Sequence, residues 1–338
     1  MVKLTLDDYT LSSALPDSFE IRQLQGDYAE VAITLQGQRI YSAKLYQSDG
    51  VATFYELRQI IEQNMIARGL VLASLEISTV YDGTGEEIDG KYIIFSRYKN
   101  TEEFDINFLE SHFLVNRTYY TMPRDKSATL PFFSTGYENL SVVYNCELER
   151  DGEHYSYSWS ASMYHGSYPS IFNVSISPAY VKNLADERMG RDAGKLLSFT
   201  IRVGTRSMRV FVIDDEPCAH FYFRNAYNVT ESIFIFGTTN FKTEVSRKEA
   251  VTQNVTSFYD KTVTRKWDVK TVPLSMEEAL WYNEFLESDM VTTELSTEID
   301  RQEILISDIT SEISDSAKDL VSIKFSYRFN DNAYWLKS

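Results

Sequence analysis

The chain is poor in the residues that most often announce a chemistry. Two cysteines, Cys146 and Cys218, are too few for a disulfide framework. Both stand among aromatic or β-branched neighbours and read as free thiols, in a protein made and folded in a reducing cytoplasm. The four histidines, His112, His154, His165 and His220, lie far apart in sequence, and none falls in an HExxH or comparable metal spacing. No GxSxG elbow, P-loop, GxGxxG after a strand or CxxC occurs. No run approaches the roughly 18 apolar residues of a membrane-spanning helix. The N-terminal Met1-Val2-Lys3-Leu4 meets Asp7 and Asp8 too soon for a signal peptide.

Positive charge is also scarce. Lys and Arg number 33 against 49 Asp and Glu, a formal net charge of −16. That balance argues against the basic face of a nucleic-acid binder, so no sequence-specific nucleic-acid binding is expected. The acids themselves form no recognisable site. Asp82, Glu86, Glu87 and Asp89 lack the EF-hand register. Asp214-Asp215-Glu216 stands directly before Pro217 and reads as a solvated turn. The sequence assigns no catalytic residue, no cofactor and no metal ligand, and the chain reads as a non-enzymatic protein.

What is abundant is aromatic: 23 Tyr and 20 Phe in 338 residues, with many Thr, Val and Ile. That mix favours strands, and the expected fold is mainly β with minor α, sandwich- or barrel-like domains with two short helices. Three domains are expected: 1–104 as an α+β unit, 105–217 as a β-rich middle domain, and 218–338 as a β-rich domain with one capped helix. In the first, Tyr28–Leu35 and Arg39–Leu45 alternate around Gln36-Gly37-Gln38 as a hairpin. Phe54, Leu57, Ile61 and Met65 predict a helix over 51–68 that stops at Gly69, followed by strands at 70–80 and 91–97. In the second, Asn107–Val115 reads as a strand and Leu140–Leu148 with His154–Met163 as a hairpin around Asp151-Gly152, while 178–194 reads as a loop. In the third, strands are expected from His220 up to Asn225, at 233–236 and at 320–329. Ser275 with Glu278 forms a capping box for a helix carrying Leu280, Trp281 and Phe285.

Tyr155, Tyr157 and Trp159 alternate with serines and so share one face of a strand, with Tyr164 and Tyr168 beyond it. Such a face stacks on sugar rings, fills one layer of a sandwich, or meets another subunit. Phe221, Phe223 and Trp281 are further candidates for a subunit interface.

Four stretches together resemble tail proteins encoded in phages and prophages of Bacteroides-type bacteria. They are Phe113-Leu114-Val115-Asn116-Arg117 leading to Leu130-Pro131-Phe132-Phe133, the aromatic–Asn signature Phe221-Tyr222-Phe223-Arg224-Asn225 with the Phe234–Gly237 strand and Lys242-Thr243-Glu244, the stretch Pro273-Leu274-Ser275-Met276-Glu277-Glu278-Ala279-Leu280-Trp281, and Ile323-Lys324-Phe325-Ser326-Tyr327-Arg328-Phe329. After the Asn, the chain has Ala226-Tyr227 in place of a Gly-containing turn. The resemblance implies a virion structural protein of the distal-tail type. Such a subunit forms a homo-oligomeric ring, a trimer or hexamer, between the tail tube and the host-recognition apparatus, and its partners are other tail proteins. An alternative is a non-enzymatic module that binds a cell-surface glycan or receptor through the aromatic strand.

Overall fold

The computed structural model describes residues 1–98, 106–136, 140–163, 166, 168–252, 255–294, 301–310 and 321–330. The fold is mainly β with a few short helices. The described residues form five sheets and four α-helices, two helices more than the sequence pattern announces.

In the first hundred residues a five-stranded sheet runs in the order Tyr9–Leu11, Thr84–Ile94, Leu72–Tyr81, Tyr28–Leu35, Gln38–Tyr46. Strict alternation sets its register. Ala29, Val31, Ile33 and Leu35 are buried, and the residues between them face outward or lie half-buried. A smaller sheet of Val2–Lys3, Ser18–Arg22 and Val51–Tyr55 stands beside it. The helix expected over 51–68 is divided. Residues 51–55 are a strand, Glu56 turns the chain at φ 65°, and α1 spans Leu57–Arg68. Leu57, Ile61 and Met65 are its buried stripe. At its end Gly69 takes the left-handed conformation and Leu70 N–H reaches back to Met65 O, a Schellman closure. Residues 84–90, expected to be a loop, belong instead to the strand Thr84–Ile94, which pairs back across the Asp82-Gly83 turn.

The middle of the chain builds a five-stranded sheet in the order Glu153–Ser162, Ser141–Arg150, Lys195–Val203, Arg206–Ile213, Tyr119–Pro123. The last strand joins in parallel. A two-stranded sheet of Ala128–Ser134 and Ser170–Ile176 contributes Leu130, Phe132, Val174 and Ile176 to the same core. Two expectations are corrected here. Residues 106–111 form a short helix, α2 (Ile106–Ser111), and not the start of a strand. The apolar run Phe113-Leu114-Val115 is buried without being a strand, tied by Leu114 N–H to Pro131 O. Residues 178–189 form α3 (Pro178–Met189) where a loop was expected. Its start is well specified, since Ser177 Oγ accepts from Tyr180 N–H, Pro178 occupies the first turn, and Gly190 closes the end at φ 63°.

The last third carries an antiparallel seven-stranded sheet, in the order Thr230–Ile235, Ala219–Arg224, Val291–Glu294, Arg301–Thr310, Lys324–Phe329, Val255–Thr271, Gly237–Thr252. The helix α4 (Met276–Leu286) packs on it with the full capping box in place: Ser275 Oγ accepts from Glu278 N–H, and Glu278 Oε2 accepts from Ser275 N–H at 3.0 Å. Each third has its own apolar cluster. A fourth cluster of Leu11, Ile94, Leu109, Leu114, Phe133, Tyr227 and Val229 joins all three.

Candidate functional site

The aromatic–Asn signature ends at this triple junction. The strand Ala219–Arg224 stops because Asn225 turns the chain: Asn225 N–H donates to Val229 O, and Asn225 Oδ1 accepts from Tyr227 N–H and Val229 N–H. No glycine is needed, because Asn228 supplies the left-handed residue at φ 62°. The turn plugs into the rest of the molecule. Asn228 Nδ2 donates to Met65 O and Leu70 O at the end of α1, Arg224 Nη1 donates to Ile66 O, and Asn225 Nδ2 donates to Leu114 O. Met65 O and Ile66 O already accept the closing N–H groups of Leu70 and Gly69, and the turn gives each of them a second donor.

Beneath the turn lies a buried charge network. Arg117 and Glu231 form an ion pair at 2.8 Å, with side chains 4% and 0% exposed. The guanidinium lies over the rings of Tyr120 and Trp281. Glu231 also accepts from Trp281 Nε1 at 2.9 Å and from Asn225 Nδ2 at 3.1 Å. Burial pushes the Glu231 carboxyl up, and Arg117, Asn225 and Trp281 oppose that. Burial also lowers Arg117, to about 9, so it keeps its charge at neutral pH and favours the ionised form of Glu231 against the burial. Glu284 of α4 accepts from Ala226 N–H at 2.6 Å, and burial followed by the nearby Glu231 charge raises it to about 7.

This constellation is structural chemistry. Its hydrogen bonds and its ion pair join residues of one chain, and they hold the three parts of the molecule against one turn, although Arg117 Nε and Asn228 Oδ1 are buried without a hydrogen-bond partner among the described residues. Elsewhere, burial pushes the Cys146 thiol up to about 12, which makes it a poor nucleophile. Burial lowers His220 to about 4, where it stacks on Phe234 at 4.4 Å. Among the described residues no cluster of His, Cys, Asp or Glu is arranged to hold a metal ion. No helix among them is long and apolar enough to cross a membrane.

The aromatic candidates fall in different surroundings. Trp159 is 6% exposed and stacks on Tyr144 at 5.3 Å. Tyr155 and Tyr157 pack against the same core, which also holds Val181 and Ala185 of α3. Of the three uses left open for this face, the layer of a packed core is the one the structure gives these three residues, and α3, unforeseen in the sequence, shares that core. Tyr168 is exposed, and Tyr164 lies outside the described residues. Phe221, Phe223 and Trp281, expected at a subunit interface, are interior to this chain: Phe221 stacks on Phe285 at 5.5 Å, and Phe223 lies beside Trp281.

The surface feature that the sequence pattern did not reveal is an arm. Gly237–Thr252 and Val255–Thr271 pair with each other along almost their whole length. Only Trp267–Lys270, at the root, pair also with Lys324–Phe329. From Phe241 outward the ribbon projects about 40 Å, at roughly 3.3 Å per residue. Its two faces differ. One carries the cross-strand pairs Lys242/Lys266, Ser246/Thr262 and Lys248/Asp260, with ion pairs Lys248–Asp260 and Lys266–Glu244. The other carries Phe241/Trp267, Val245/Val263, Arg247/Lys261 and Phe258. This second face continues the core outward, since Trp267 stacks on Tyr327 at 5.3 Å and packs edge-on against Phe329. Phe258 at 59% exposure and Tyr259 at 66% lie open near the tip. The root is fixed by Gly237, where any Cβ would run into Lys270 O. The signal for the arm was present as two alternating stretches on either side of Gln253-Asn254.

No family model matches the chain, and comparison with curated proteins also finds no match. Among solved structures a similarity is found to the plexin A4 full extracellular region, with 9% identity and a TM-score of 0.20, spanning 97% of this chain and 36% of that one. A likeness this weak carries no argument about fold or function.

Proposed function

We propose that this protein is a structural subunit of a phage tail, one that forms a closed homo-oligomeric ring near the tail tip, between the tail tube and the host-recognition apparatus. It would be made in the host cytoplasm and end in the virion. The observation that carries the reading is the arm. A two-stranded ribbon without further support is marginal in water. An exposed apolar face with open strand edges invites association unless something covers it. In a ring, every copy both offers an arm and receives one, so no arm is left uncovered. The interior supports the same reading, since the ion pair and hydrogen bonds of the buried junction run between parts of one chain. The resemblance of the aromatic–Asn and capping-box stretches to distal-tail proteins supplies the biological setting.

The test is negative-stain imaging of the purified full chain over a range of concentrations. Closed threefold or sixfold rings are the expected result. A population of single particles at every concentration would overturn the proposal.

A further inference from the structure

Beside the arm's root, a cleft of about 200 Å³ opens between the middle sheet and α4, lined by Tyr119, Phe234, Phe236, Leu274 and Trp281, with Asp215 at its rim. The volume exceeds the roughly 150 Å³ in which a buried apolar cavity accepts a benzene ring. The acids Asp215, Glu277 and Glu278 line it, and the one cation there, Arg117, is already paired to Glu231. Glu277 is bound to Thr118 and Glu278 to the α4 cap, whereas Asp215 is exposed and makes no ion pair among the described residues.

The arm's apolar face has the opposite character. Arg247 and Lys261 sit directly across from each other. Two like charges in that position repel, and neither forms an ion pair among the described residues. Arg247 lies over Phe258 at 5.2 Å, which places a cation on an exposed aromatic ring. Glu249, opposite Phe258, is the acid on the same face. Residues 237–271 hold seven Lys and Arg against four Asp and Glu, net +3, on a chain whose total is −16, so the remainder carries −19.

We propose that the cleft is the receptor for the arm tip of a second copy of this chain: Phe258 enters between Phe236 and Trp281, and Arg247 and Lys261 meet Asp215. The inference rests on the ring reading and adds its contact. A chain's own arm springs from Gly237 and Thr271, immediately beyond the lining residues Phe236 and Val272, and runs outward. Its tip is therefore far from its own cleft, and the contact is tip to root between copies. Arm tip and cleft are different surfaces, so the contact is heterologous, and a heterologous contact repeated by rotation closes into a ring. The acidic rim answers the opposed Arg247 and Lys261, and the aromatic walls cover Phe258.

The test uses two versions of the full chain in a Cys218→Ala background, one carrying Tyr259→Cys and the other Asp215→Cys, mixed and oxidised. The expected result is a disulfide-linked dimer containing one chain of each kind, absent when either new cysteine is missing. In the otherwise native chain, Arg247→Glu with Lys261→Glu is expected to weaken association at least tenfold, and Asp215→Lys added to the pair to restore part of it. Rings that assemble normally yet give no 259–215 link, and no rescue, would overturn the cleft as receptor while leaving the ring intact. A chain that never associates would remove both.

Discussion

The junction and the arm contain the same pieces, a guanidinium over aromatic rings in a β-rich setting, and dispose of them in opposite ways. Arg117 lies against Tyr120 and Trp281, and its charge is answered by Glu231, Asn225 and Trp281 completing the carboxylate's bonds. Arg247 lies over Phe258, faces Lys261 and forms no ion pair among the described residues. The first cation is paired within a single chain, and the second has no counter-charge among the described residues. Buried polar networks tolerate few losses, whereas exposed side chains contribute little to the stability of the chain that carries them. The two regions should therefore respond very differently to substitution.

The largest effect is expected at the junction. Arg117→Met leaves Glu231 buried without its counter-charge and should cost about 3–5 kcal/mol in denaturant unfolding. Adding Glu231→Leu should recover part of that loss, because the uncompensated charge is gone. A double variant as unstable as the single would show that the ring packing of Trp281, and not the charge, holds the junction.

Next comes pH, where two buried groups pull in opposite directions. Glu284 keeps its proton to about 7 in the folded chain, against 4.5 as its ordinary value. Between those values the folded state binds more protons than the unfolded one, so this group's contribution falls as pH rises. His220 is lowered to about 4 against 6.5, so between those values the unfolded state binds more protons and stability rises with pH. Measured against the native profile between about 4.5 and 6.5, Glu284→Gln should tilt the slope upward and His220→Phe should tilt it downward, each by about 2–3 kcal/mol across its window. Profiles with the native slope in both variants would contradict the assignment.

A smaller effect is expected where the cleft meets α4. Ser275→Ala removes the capping hydroxyl and should cost about 1 kcal/mol. The smallest belongs to the arm: Phe258→Ser should change monomer unfolding by less than about 0.5 kcal/mol, and yet reduce association. A loss of several kcal/mol would mean that the arm's apolar face is covered from within the chain.

The chain disclosed its fold where local pattern decides structure. The hairpins 28–46 and 141–162 follow from alternation, and the capping box at Ser275 fixes the start of α4. α3 was missed although Ser177, Pro178 and Gly190 marked both its ends, because its charged residues resemble those of a loop. α2 was missed because Phe, Leu and Val after it read as strand, whereas they fill the core from irregular backbone. The Arg117–Glu231 pair joins residues far apart in sequence, and only long-range packing shows that it exists. Asn225 was legible as part of a signature, but its task, satisfying backbone groups of two other parts of the molecule, was not. The arm illustrates the converse. Its alternation was visible, but not that one face stays exposed among the described residues.

The most direct measurement is the light-scattering mass of the full chain beside a variant in which residues 243–265 are replaced by a two-residue Asn-Gly turn, which joins the paired Lys242 and Lys266. The expected result is a discrete multimer for the native chain and a monomer for the variant, with the variant's melting temperature unchanged. Equal masses for the two would contradict the assignment of the arm as the assembly element.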